Sequence, residues 1–259
     1  MILTNKNYFS KKANMEYFSV SQFKSFEKCQ HMALAEVKGK YQREKTTALL
    51  VGQYVDSHFE GTTDEFFSEN PEIFTARGGL KAEFLHARDV IIPRVERDKT
   101  FMKHMSGAKQ VIMTGEICGV KVKIKMDSFR PDKAIDDMKM MRDFEPIFVP
   151  DKGHLPWWQA WEYDLQGAVY QEVVRQNTGK RLPFYLCAAT KEKVPDIDVL
   201  HIKQDALDFA LDRFNADVEL YDAIKHGVIK PDRCGKCDWC KISKVIRKPS
   251  ESDEFIFEL

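Results

Sequence analysis

Apolar and polar positions alternate most regularly just after residue 119, where Val122, Ile124 and Met126 interleave with Lys121, Lys123 and Lys125. A period of two sends successive side chains to opposite faces of a strand, which puts Asp127 on the face of the lysines. Pro131-Asp132 supplies a turn, and a second strand from Ala134 carries Asp137 and Lys139 side by side on one face. The pattern predicts a hairpin over 119–139 on which two carboxylates and an ammonium converge. Elsewhere the spacing is helical: Phe23, Phe26 and Met32 follow an N-cap at Ser19 or Ser21, and Thr47–Glu60 forms a second helix. A third helix covers 80–96, kinked or restarted at Pro93. Residues 1–16 show no period and predict a loose start or an edge strand, and 61–78 predict a loop with a short helix. A strand at 109–117 leads into the hairpin, and a proline-bounded loop after Lys139 lies over the site. A long helix over 156–177 has Pro156 near its first turn and Gly179 past its end. Strands at 182–190 and 198–202 and an amphipathic helix over 204–226 complete the order. The fold class is α/β, a mixed central β-sheet flanked by helices on both sides, in a single domain spanning 1–259.

Composition narrows the function classes. Forty basic and forty acidic residues among 259 cancel, so no global field draws the chain to nucleic acid or an anionic membrane, and any DNA contact is local. No apolar run approaches membrane-spanning length, and the first residues lack an apolar export core, which predicts a cytoplasmic protein with no membrane partner. Six cysteines, three of them clustered near the C-terminus, fit a reducing compartment and a metal centre better than a disulfide scaffold.

The hairpin carries the candidate chemistry. Two carboxylates on neighbouring strands suit magnesium, a hard cation that prefers oxygen ligands and retains waters. Metal-bound water is a better nucleophile, and a nearby lysine orients it or offsets charge building on a phosphate, which points to phosphodiester hydrolysis. The bland alternative is a solvated hairpin face with a cross-strand Asp–Lys pair contributing about 0–1 kcal/mol.

The order Asp127, then Ile135-Asp-Asp-Met-Lys139, then Tyr163-Asp-Leu-Gln-Gly-Ala-Val-Tyr170 resembles the PD-(D/E)xK nuclease superfamily, in particular the RecB-like and RecE-like phage exonucleases. The resemblance implies a restriction-endonuclease-like core and magnesium (or manganese) held by Asp127, Asp137 and the backbone carbonyl of Met138. It further implies Lys139 as the lysine that positions water, with Gln166 and Tyr170 lining the site from the helix. Helical spacing puts Gln159, Tyr163, Gln166 and Tyr170 on the face toward the metal, and Trp158, Trp161, Leu165, Ala168 and Glu172 on another. Glu116 resembles an additional acidic residue near the metal. The families' Gly-x-x-x-His motif departs here to Gly52-Gln-Tyr-Val-Asp56, which puts Asp56 at the histidine position, while His58 points about 200° away. The activity implied is an exodeoxyribonuclease acting on double-stranded DNA ends in phage-type recombination or repair, with a single-strand annealing protein as partner and a homo-oligomeric ring.

Cys234, Cys237 and Cys240 form two overlapping CxxC steps that suit one metal centre. A tetrahedral zinc or a [4Fe–4S] cluster needs a fourth thiolate. Resemblance to iron-staple nucleases assigns that place to Cys29 and docks the 228–248 segment on the N-terminal helix. A basic run, Lys244-Val-Ile-Arg-Lys248, precedes an acidic end. The rival function is a non-catalytic DNA-binding module stabilised by the cysteine-bound metal or iron–sulfur centre.

Overall fold

A computed structural model describes residues 1–246. Its strands are β1 (Val111–Ile117), β2 (Val120–Met126), β3 (Ser128–Arg130), β4 (Ala134–Met141), β5 (Ile147–Val149), β6 (Gly153–Leu155), β7 (Phe184–Thr190) and β8 (Ile197–His201). β1 and β2 form an antiparallel hairpin whose turn, Cys118-Gly119, lies in the left-handed region. The central sheet runs β3-β4-β7-β8, with β4 and β7 parallel and the outer pairs antiparallel, while β5 and β6 form a small hairpin. The helices are α1 (Lys11–Glu16), α2 (Val20–Lys28), α3 (Gln30–Val37), α4 (Thr47–Glu60), α5 (Thr63–Glu69), α6 (Ala82–His86), α7 (Ile92–Glu96), α8 (Lys99–His104), α9 (Trp157–Ala160), α10 (Tyr163–Thr178), α11 (Gln204–Lys225) and α12 (Asp238–Ile242). The mixed sheet flanked by helices agrees with the expected fold class. Among the described residues no helix is long and apolar enough to cross a membrane.

Helices cover the central sheet on both faces. On one, α10 and α11 pack Leu165, Val169, Val173, Phe214 and Val218 against Ile135, Phe184 and Leu186, with Phe23 and Phe26 of α2. On the other, α4 brings Leu50, Val51 and Val55 to Met138, Cys187 and Ala189. α10 sits so close to β7 that a Cβ on Gly167 would meet the Phe184 ring at 2.5 Å, so only glycine fits. Ser19 caps α2 by accepting from the Gln22 amide, and Thr46 caps α4.

The predicted hairpin over 119–139 is instead three strands. β2 pairs with β1, the chain bends at Asp127, and only β3 pairs with β4. The reason lies at the N-terminus, where Phe18 donates to the Lys121 carbonyl at 2.7 Å and accepts from the Lys123 amide at 2.8 Å, occupying the edge of β2 that β4 would need. Residues 11–16 form α1, neither loose nor a strand. Lys123, expected on an open polar face, is 1 % exposed, and its Nζ donates to Asn14 Oδ1 at 2.7 Å and to the Tyr8 carbonyl.

The expected 156–177 helix breaks in two. Glu162 takes the left-handed conformation (φ 56°) between α9 and α10. Lys24 Nζ donates to the Trp161 carbonyl at 2.8 Å, and Arg213 pairs with Glu162 at 2.9 Å, so tertiary contacts fix the break. Over 80–96, a π-helical turn at Ala87–Ile91 precedes Pro93 and accommodates it inside a continuous helical path. The loop expected after Lys139 contains the β5–β6 hairpin.

Candidate active site

β4 is buried along its first five residues, and its alternation places Asp136 and Asp137 on opposite faces. Asp137 is 2 % exposed. Its Oδ1 accepts from Gln166 Nε2 at 2.7 Å, and its Oδ2 forms an ion pair with Lys139 Nζ that lacks hydrogen-bond geometry. Lys139 Nζ also lies 5.1 Å from the centre of the Tyr163 ring, which faces Lys24 Nζ at 5.3 Å as well. Asp127, at the bend, accepts from the Met138 amide at 3.0 Å. That contact completes β4 where β3 has ended and no strand continues the pairing. Tyr170 donates to the Lys125 carbonyl at 3.0 Å and so pins α10 to β2.

Asp56 reaches the same place from α4. Its Oδ1 is buried and has no hydrogen-bond partner among the described residues. Glu60, one turn later, is hydrogen-bonded by Gln110, whose Nε2 also stands 3.5 Å from Asp127 Oδ1. A narrow recess is lined by Asp56, Glu60, Lys109, Asp127 and Met138.

The electrostatics follow from burial. Burial pushes the Asp56 acid well above the carboxylate range, and the Asp127 charge adds to the shift. Burial raises Asp137 to about 7, with Lys139 opposing and Asp127 reinforcing. Burial alone would lower the Lys139 ammonium, but Asp137 and Asp127 together hold it above an ordinary lysine. Glu60 is raised by burial and then by Asp127. Four carboxylates, of Asp56, Glu60, Asp127 and Asp137, thus meet at a buried point, and the Asp56 Oδ1 has no hydrogen-bond donor. That donor set fits a hard divalent cation such as magnesium or manganese.

The structure therefore brings Asp127, Asp137, Lys139, Gln166 and Asp56 together, with Tyr170 at the margin. Met138 meets the cluster through its amide, which Asp127 takes; its carbonyl was the expected ligand. Glu116 is not in the cluster. It is exposed toward the far end of β1, opposite Lys121, whereas the Asp127 end of the hairpin is marked by Val111 opposite Met126. Five residues of strand, about 17 Å, separate it from that end. His58 faces away and pairs with Glu96 at 2.8 Å. Sequence reasoning missed Glu60 and Gln110. The i, i+4 spacing of Asp56 and Glu60 on one helical face would have flagged Glu60.

Asp136, on the other face, is fully paired. Arg130 donates to its Oδ2 at 2.7 Å and its Oδ1 at 2.9 Å, and His104 Nδ1 lies 2.6 Å from Oδ1. Cys187 is close enough to His104 and Asp136 to suggest a metal site, but the guanidinium already balances the carboxylate.

The four cysteines meet where α2 passes into α3. Cys29 ends α2 and begins α3, and its Sγ lies 3.6 Å from that of Cys240 and 3.7 Å from that of Cys237. Cys234 Sγ lies 4.0 Å from Cys240 Sγ. No disulfide occurs among the described residues. Residues 247 and 248 of the basic run lie outside the described residues, as does the acidic end.

A family model described as a PDDEXK-like domain of unknown function (DUF3799) matches residues 19–243. The crystal structure of a proposed exonuclease from Eubacterium rectale is similar at 48% sequence identity, with a TM-score of 0.93 over 97% of each chain. The structure of the protein SSO0001 is 12% identical over 77% of this chain and 86% of its own, with a TM-score of 0.30. No curated protein matches. The match across residues 19–243 places the chain in the PDDEXK-like DUF3799 family.

Proposed function

We propose that this protein is a divalent-metal-dependent deoxyribonuclease and, more finely, an exonuclease acting on the ends of double-stranded DNA. The observation that carries the reading is Asp137, buried between Gln166 and Lys139, with the unpartnered oxygen of Asp56 and the carboxylate of Asp127 in the same cluster. Magnesium or manganese at these carboxylates would supply Lewis acidity and an activated water. Asp127 and Asp137 are the ligands in this reading, with the Met138 carbonyl, and Asp56 completes the set directly or through water.

The chain's own residues do the rest. Gln166 fixes the carboxylate plane of Asp137, and Tyr170 fixes the strand that ends at Asp127. Lys139, held protonated by its neighbours, cannot act as a base at neutral pH; it orients the attacking water and offsets charge on the phosphate. The water oxygen bonds to phosphorus as the water gives up a proton to solvent, the phosphorus–oxygen bond to the leaving sugar breaks, and the leaving oxygen takes a proton from solvent. The same reading treats residues 1–259 as one nuclease domain with the 228–248 segment docked on the first helices. The resemblance of Asp127, Asp137, Lys139, Gln166 and Tyr170 to the RecE-like phage exonucleases implies recombination or repair as the setting, with an annealing protein as partner and a ring-shaped oligomer.

Digestion of linear and closed-circular duplex DNA with magnesium, beside Lys139→Ala, tests the proposal. Loss of linear DNA alone, absent in the variant, is the expected result. Intact DNA of both forms with either magnesium or manganese would favour the non-catalytic DNA-binding module.

A further inference from the structure

We infer that Cys29, Cys234, Cys237 and Cys240 hold one tetrahedral zinc ion and not an iron–sulfur cluster. Size decides between the two. Four thiolates around a single zinc, each about 2.3 Å from it, stand at the corners of a tetrahedron whose edge is about 3.8 Å. The sulfur separations here are 3.6, 3.7 and 4.0 Å, and all four sulfurs lie within 4.8 Å of one another. A cubane cluster puts each thiolate on a different iron, with the four irons and their sulfides between them. An envelope of 4.8 Å leaves room for one ion, not for that core.

The backbone is arranged for the same occupant. The Cys237 amide donates to Cys234 Sγ at 3.3 Å, and the Cys240 amide donates to Cys237 Sγ at 3.4 Å. Such N–H···S contacts support thiolates and fix their directions. Gly235, in the left-handed region at φ 71°, lets the chain turn between the first two sulfurs. Around them, Arg233 donates to the Cys240 carbonyl at 2.8 Å and the Ser243 hydroxyl at 2.9 Å, which locks the knuckle and brings a cation beside a dianionic zinc–thiolate centre. The Asp232 carbonyl accepts from the His31 amide at 3.0 Å and the Asp232 amide donates to Gln30 Oε1 at 2.8 Å, so the knuckle is docked on α3 independently of the metal. His31 Nδ1 approaches only Cys240, at 3.9 Å, and is a neighbour of the centre rather than a ligand.

A disulfide account fails on these distances, because bonded sulfurs lie about 2.05 Å apart. Free thiols alone leave unexplained why residues some two hundred positions apart in sequence bring four sulfurs to one point. The centre stands apart from the nuclease reading, since none of the four cysteines belongs to the acidic cluster.

The test is the metal content of the full chain, purified without added metal under anaerobic conditions. The expected result is about one zinc per chain, with neither iron nor acid-labile sulfide. Cys237→Ser should lose the zinc and unfold at lower temperature, whereas Cys118→Ser, at an exposed turn, should keep both. Cobalt in place of zinc should give the visible bands of tetrahedral thiolate coordination. About four irons and four sulfides per chain would overturn the proposal in favour of a cluster. So would a metal-free protein whose four thiols all react with a thiol reagent under native conditions, or a Cys29–Cys240 disulfide found by mass spectrometry.

Discussion

Asp136 and Asp137 are neighbours in sequence, almost equally buried at 0 % and 2 % exposure, and face opposite sides of one strand. Asp136 has both oxygens taken by a guanidinium and an imidazole. Asp137 has one good hydrogen bond, a lysine in poor geometry, and further carboxylates nearby. Equal burial with unequal pairing separates a carboxylate that holds the fold from one that, in the function proposed, takes a cation. A buried charge needs compensation, which Asp136 receives in full from Arg130 and His104 and Asp137 only from Lys139 and one amide.

The largest effect that would break this comparison is on catalysis. Asp137→Asn should lower DNA cleavage by about 10³-fold or more while DNA binding survives, measured by single-turnover digestion beside an anisotropy titration. Cleavage within tenfold of wild type would move the metal site elsewhere. Asp136→Ala acts on the other face, where Arg130 would be left buried without its carboxylate. The loss should be about 3–5 kcal/mol, read from the urea midpoint, and a smaller loss than that of Asp137→Ala would reverse the assignment.

Gln166→Ala should weaken manganese binding about 10- to 100-fold, followed by calorimetry, with little change in unfolding temperature. The remaining effect is the pH slope. Asp137 binds its proton up to about 7 in the metal-free fold, against 3.8 for an ordinary aspartate. Between those values the native chain holds a proton that the unfolded chain has released, so metal-free stability should fall as pH rises through the window. Saturating magnesium needs the ionised acid, leaves no proton difference across the window and should abolish the slope. Asn at 137 should flatten the metal-free trend, and melting curves from pH 4 to 8 with EDTA or magnesium would show it.

Much of this was legible in the residues. Two-residue alternation located β2 and the shared face of Asp137 and Lys139, and one helical stripe placed Tyr163, Gln166 and Tyr170 toward them. The bend at Asp127 was not legible, because apolar residues continue through Met126 and Phe129 and only Phe18, a hundred residues earlier, decides which strand β2 can pair with. The break at Glu162 was hidden for a similar reason. Glutamate suits a helix interior, and the interruption depends on Lys24 and Arg213 from other elements. Glu116 looked plausible as a nearby acid because strand count alone does not say which end of a hairpin faces the cluster.

The contact between Asp127 and the Met138 amide links two timescales that are usually separate. The same hydrogen bond finishes the edge of β4 and aims a carboxylate into the cluster. Each time that edge opens, the amide proton becomes free to exchange with solvent and the carboxylate loses its bearing. Deuterium uptake at one backbone position therefore reports how often the site dissolves and reassembles, without substrate, metal or turnover.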